Sequence, residues 1–163
     1  LKAKGLPVEV VNAGVSGDTT AAGLDRLAWS VPEKTDAVIL ELGANDALRG
    51  LDPKHARANL EKIITTLKSQ GTEVLLAGML APRNLGPAYT QAFDGMYAEL
   101  AAKHGLLLYP FFLDGIVLDS AMNLGDGLHP NPKGVAEITR RILPTVEQLL
   151  ARVRARHANG SKG

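Results

Sequence analysis

The chain contains no cysteine, which removes disulfides, thiolate metal sites and cysteine nucleophiles from consideration. Aromatic residues are scarce as well, at 4% against 45% hydrophobic residues in total, so the apolar weight rests on Ala, Val, Leu and Ile. That mix suits helices packed on aliphatic strands better than an antiparallel sandwich. No apolar run approaches the ~20 residues a membrane helix needs, which argues against stable membrane insertion. A dominant charge is missing too: 18 Lys and Arg stand against 17 Asp and Glu, a net +1. Nucleic-acid-binding domains carry a basic stripe, so this balance argues against one. A chain of 163 residues is long enough for one domain, spanning 1–163, with a core that needs no disulfide or metal staple.

What is present alternates strand and helix. Val8–Val11, Val38–Leu42, Val74–Ala77 and Leu106–Tyr109 are short aliphatic runs, as expected of strands buried on both faces in a parallel sheet. Between them lie helical patterns. Asp52-Pro53 sets an N-cap with proline in the first turn, and Leu60, Ile63, Ile64 and Leu67 follow before Gly71. Tyr89, Phe93, Met96, Tyr97 and Leu100 mark the next helix, ended by Gly105. Asn131-Pro132 opens the last, with Val135, Ile138, Ile142, Val146, Leu149 and Leu150 as its apolar face and Pro144 inside it as an expected kink. The residues from 152 to 163, with Arg152, Arg154 and Arg156, read as a solvated C-terminal tail. The pattern predicts an α/β fold, a three-layer α/β/α sandwich with right-handed crossovers.

The N-terminus carries its own signal. Leu1-Lys2-Ala3-Lys4-Gly5-Leu6-Pro7 reads as the last turn of a helix, with Gly5 as a left-handed cap and Pro7 as a stop. The chain is therefore expected to be cut at its start.

In folds of this class, ligands bind at the carboxyl ends of the strands. Three polar clusters follow strands here: Asn12 to Thr20, Gly43-Ala44-Asn45-Asp46, and Asp126-Gly127-Leu128-His129-Pro130-Asn131 just before the last helix. A carboxylate three residues before a histidine can accept from imidazole Nδ1–H, leaving Nε2 outward as a general base. A glycine N–H and an asparagine amide from separate loops are the donors an oxyanion hole needs. Asp46 is expected to be structural, bonding loop amides beneath the site.

On these motifs the chain resembles the SGNH (GDSL-type) hydrolases, in particular the bacterial arylesterase, acyl-CoA thioesterase and lysophospholipase branch. Gly17 in Val15-Ser16-Gly17-Asp18-Thr19 matches the second-block glycine, and Asn45 matches the G-x-N-D block. Asp126 and His129 match the final D-x-x-H block. The resemblance implies a flavodoxin-like parallel sheet and a Ser-His-Asp acyl-enzyme mechanism. It further implies Gly17 and Asn45 as oxyanion donors, a small acyl ester or thioester as substrate, and no cofactor or metal. It also implies that the loop Ala81–Pro87, with Pro82 and Arg83, shapes the acyl site together with Leu128. A periplasmic or secreted location accords with the family.

One block is not here. The family's Gly-Asp-Ser, which bears the nucleophile on the central strand, is expected upstream of Leu1, so this chain by itself is expected to be inactive. Val8–Val11 and Val38–Leu42 should then flank an open slot without pairing directly. Ser16 is no substitute, because Gly14-Val15-Ser16-Gly17-Asp18 lacks the final glycine of a G-x-S-x-G elbow. A carbohydrate O-deacetylase on the same scaffold, or a non-catalytic module binding an acyl or polyol ligand, are the alternatives. The residue standing at the place of the nucleophile separates them.

Overall fold

The computed structural model describes residues 1–160; residues 161–163, the end of the expected tail, lie outside it. Three of the four aliphatic runs are strands: β1 (Ala37–Glu41), β2 (Glu73–Ala77) and β3 (Leu107–Tyr109). They form a parallel sheet in the order β1-β2-β3, with Leu40 opposite Leu76 and Leu76 opposite Leu108. Helices α1 (Thr20–Asp25) and α2 (Leu27–Ser30) precede β1, and α3 (Ala44–Leu48) and α4 (Pro53–Ser69) follow it. Helix α5 (Pro87–His104) joins β2 to β3, and α6 (Pro132–Gly160) closes the chain.

Period-two alternation on β2 assigns the layers. Val74 and Leu76 face a core with Leu60, Ile63, Ile64 and Leu67 of α4 and Phe93, Met96, Tyr97 and Leu100 of α5. Leu75 faces the opposite way, onto Ile142, Val146 and Leu149 of α6, with Leu1 and Leu107 at its border. Burying each such side chain contributes roughly 1.5–3 kcal/mol, so both faces of β2 bind the sheet to its helices. The caps are as the sequence indicates. The Asp52 carboxylate accepts from Lys54 N–H at 2.9 Å, and Asn131 Oδ1 accepts from the N–H groups of Lys133 and Gly134 at 2.9 and 3.1 Å. Gly5 takes the left-handed conformation after a 3-10 turn at Lys2–Lys4.

Three expectations are corrected. Val8–Val11 is not a strand: it has no neighbouring strand among the described residues, and Val10 and Val11 are 76% and 70% exposed. Extended chain without a neighbour has no ladder to satisfy its backbone, so β-propensity alone does not make a strand. No backbone hydrogen bond joins it to β1, whose second edge is open among the described residues. Arg83–Leu85, expected to be irregular, forms a 3-10 turn. The segment 152–160 is not a tail but the end of α6, where Val153 is buried, Arg152 donates to Gly105 O at 2.8 Å and Arg156 pairs with Asp36 at 2.9 Å. The helix runs through Pro144 without interruption.

Those last two contacts orient α6. Asp36 immediately precedes β1 and Gly105 precedes β3, so the helix ends at the amino edge of the sheet. Its first residues, next to His129, therefore belong to the carboxyl edge.

Candidate active site

Two of the three polar clusters, Asn12 to Thr20 and Gly43 to Asp46, meet where the chain leaves β1. Gly43 follows the strand at φ 117, a conformation open to glycine alone, and starts α3. A Cβ there would strike the Tyr97 hydroxyl, which donates to Leu42 O at 2.9 Å. Burial, reinforced by the nearby carboxylates of Glu41, Asp46 and Asp94, pushes that phenol well above its usual pKa, so it stays a donor. The turn held this way sends Asn45 and Asp46 toward the loop before α1.

There the two loops are tied three times. Asp46, 3% exposed, accepts from Thr20 N–H at 2.8 Å and from Thr20 Oγ1–H at 2.6 Å. The Asn45 side-chain amide donates to Asp18 O at 3.0 Å. Arg49 donates to Gly17 O at 2.8 Å. Asn59 on α4 adds a bond to Thr20 Oγ1 at 3.1 Å. Gly17, at φ 85, thus sits one residue from the carbonyl that Asn45 holds. The structure brings Gly17 and Asn45 together, and Asp46 has the structural position expected of it. Thr20, Arg26 and Arg49 are the residues that sequence reasoning missed. The only sequence signal for them is their place in the loops flanking the motifs.

Asp126 and His129 form the second pair. His129 Nδ1 lies 2.7 Å from Asp126 Oδ2, while Asp126 Oδ1 accepts from the N–H groups of Leu128 and His129 at 2.9 and 3.0 Å. The backbone N–H of His129, then its ring and the Leu128 N–H, hold the Asp126 carboxyl down at about 2. The carboxylate is therefore a fixed anion that orients the ring, and with Nδ1 engaged, Nε2 is left toward solvent, the His129 side chain being 63% exposed. The loop is folded locally: Asn123 donates to the carbonyls of Ile116 and Asp119, and Leu124 N–H to His129 O at 2.7 Å.

No described serine hydrogen-bonds His129. Ser16 is exposed on the Gly17 loop. Pro82 and Arg83 stand beyond β2 on a loop pinned to α5: Asp94 accepts from Ala81 N–H at 2.8 Å and pairs with Arg83 at 2.6 Å. Leu128 is 55% exposed beside His129. Of the other histidines, His104 lies against Glu61, with Nε2 3.0 Å from the carboxylate. A shallow groove lined by Lys4, Leu6, Glu147, Leu150 and Arg154 lies between the N-terminal turn and α6, away from these loops.

A three-strand parallel sheet with helices on both faces and polar loops beyond its strands defines a protein of the α/β/α sandwich class. The chain belongs to the GDSL-like lipase/acylhydrolase family, which it matches over residues 1–137. It is 40% identical over 148 residues to Esterase TesA of Pseudomonas aeruginosa, covering 90% of this chain and 74% of that protein. It is 41% identical over 130 residues to an arylesterase of Vibrio mimicus, covering 79% and 65% respectively. It is 38% identical over 123 residues to the Thioesterase 1/protease 1/lysophospholipase L1 of Escherichia coli, covering 75% of this chain and 59% of that protein. The chain thus spans about three fifths to three quarters of these relatives' lengths. Among solved structures, TesA superposes with a TM-score of 0.84 at 39% identity, over 91% of this chain and 83% of that one. The psychrotrophic esterase EstA from Pseudoalteromonas sp. gives a TM-score of 0.86 at 28% identity, over 92% and 82%.

Proposed function

We propose that this chain forms the body of an ester or thioester hydrolase in which His129 is the general base, Asp126 its orienting carboxylate, and Gly17 N–H with the Asn45 amide the oxyanion donors. The observation that carries the reading is the Asp126–His129 pair, 2.7 Å apart, which leaves imidazole Nε2 toward solvent. The nucleophile is a serine on a Gly-Asp-Ser strand that adds to the open edge of β1. Its Oγ attacks the carbonyl carbon of the substrate while the hydroxyl proton passes to His129 Nε2. The tetrahedral oxyanion is met by Gly17 N–H and Asn45 Nδ2–H. Collapse returns the proton to the leaving alcohol or thiol, and water repeats the sequence to release the acid. Pro82, Arg83 and Leu128 border the acyl group. The names of the relatives, an esterase, an arylesterase and a thioesterase, support carboxylic esters and thioesters as the substrate class.

A panel of p-nitrophenyl esters of rising acyl length, together with an acyl thioester, tests this on two proteins. The chain alone should be inactive, and the chain preceded by the segment encoded ahead of it should hydrolyse the panel. A residue other than serine at the Gly-Asp-Ser position, or hydrolysis by the chain alone that survives His129→Ala, overturns it.

A further inference from the structure

The loop from Asn12 to Asp18 carries one of the two oxyanion donors yet belongs to no helix or strand, and most of its residues are exposed. Its order has to come from side chains. One of them is Arg26, at the junction of α1 and α2, which reaches back with both sides of its guanidinium. Nε donates to Asp18 Oδ2 at 2.5 Å, and Nη1 donates to Ala13 O at 2.7 Å and to Ser30 Oγ at 2.9 Å. The pair is largely withdrawn from water, with the Arg26 and Asp18 side chains 19% and 14% exposed, so its charge-assisted bonds are little screened. The same Asp18 gives its backbone carbonyl to the Asn45 amide. Asp18 is therefore gripped from two directions, at its carboxylate by Arg26 and at its carbonyl by Asn45, with Gly17 directly before it.

We infer that Arg26 is the positioning residue of this loop: by bridging the Asp18 carboxylate and the Ala13 carbonyl, it fixes the Gly17 N–H relative to the Asn45 amide. It touches no reacting atom. The bridge needs the planar fork of an arginine, because the two acceptors lie five residues apart in the loop and call on different nitrogens. A lysine carries the charge on a single head and can hold the carboxylate while releasing the carbonyl. The role in catalysis rests on the proposed function, whereas the order of the loop does not.

The experiment therefore has two arms. In this chain alone, backbone ¹⁵N relaxation is measured for Gly14, Ser16, Gly17 and Asp18 in the native protein, Arg26→Lys and Arg26→Met. Order parameters should sit near the ~0.85 of rigid backbone in the native protein and fall below ~0.6 in Arg26→Met, with core amides such as Leu60 and Leu76 unchanged. Arg26→Lys should fall between, which keeps the test open if the methionine variant does not fold. In the active enzyme, kcat should drop about 10–100-fold in Arg26→Met and less in Arg26→Lys, with KM within about twofold, as for loss of transition-state contact alone. Unchanged order parameters overturn the inference, and so does a loosened loop with native kcat. A native enzyme that hydrolyses nothing overturns the proposed function instead, and the relaxation arm then decides whether Arg26 orders the loop.

Discussion

The side-chain amide of Asn45 donates to the backbone carbonyl of Asp18 at 3.0 Å, joining the loop after β1 to the loop before α1. An amide nitrogen carries two N–H groups, so one holds the neighbouring loop and the second is free to meet developing charge. Asn45→Ala in the active enzyme should lower kcat by roughly 10²–10³-fold with little change in KM. A change confined to KM would assign Asn45 to ground-state binding.

The imidazole of His129 is expected to carry the proton transfers. His129→Ala should cost about 10⁴-fold or more in kcat, whereas Ser16→Ala, on the exposed loop, should leave it within about twofold. A histidine variant keeping a tenth of the native rate excludes the general-base role. Loss of activity in Ser16→Ala would move the nucleophile into this chain.

Acid should loosen the His129 loop in a defined window. Asp126 is held at about 2, below its ordinary 3.8, first by the His129 backbone N–H and then by the His129 ring. A carboxyl lowered on folding stabilises the fold above its unfolded value and loses that contribution as pH falls through the folded one. The gap in thermal midpoint between the native chain and Asp126→Ala should be constant near neutrality and close between about pH 4 and pH 2. A gap that widens on acidification contradicts the assignment.

Gly43 is expected to tolerate no side chain. Alanine there would be held at φ 117 and would meet the Tyr97 hydroxyl. Gly43→Ala should lose about 1–3 kcal/mol in urea unfolding from backbone strain, with more from the clash. Adding Tyr97→Phe should return part of the loss, since only the hydroxyl contact is relieved. No recovery at all would assign the whole cost to the backbone.

Asp46→Ala removes a buried acceptor and leaves the Thr20 N–H and hydroxyl without it, at a cost of about 2–4 kcal/mol in urea unfolding. Asp46→Asn, which keeps one acceptor oxygen, should cost less. Equal losses in the two variants would show that size rather than hydrogen bonding matters at this position.

Local chemistry determined much of this protein before any tertiary contact. The aliphatic runs at 38–42, 74–77 and 106–109 became strands, and Asp52, Asn131 and Gly105 cap helices where their side-chain or backbone preferences put them. The spacing of Asp126 and His129 by three residues is enough to close their hydrogen bond within one turn of chain. Tertiary structure decided the rest, because the partners are far apart in sequence. Val8–Val11 has the composition of a strand but no neighbouring strand among the described residues, so it forms no ladder. The end of the chain looked like a charged tail until Arg152 and Arg156 found Gly105 and Asp36 across the sheet. Asp46 meets Thr20 across 26 residues and Asn45 meets Asp18 across 27, contacts that exist only because α1 and α3 both pack on α4. Sequence named the groups that a hydrolase needs; packing at the carboxyl edge of the sheet decided which of them stand within reach of one another.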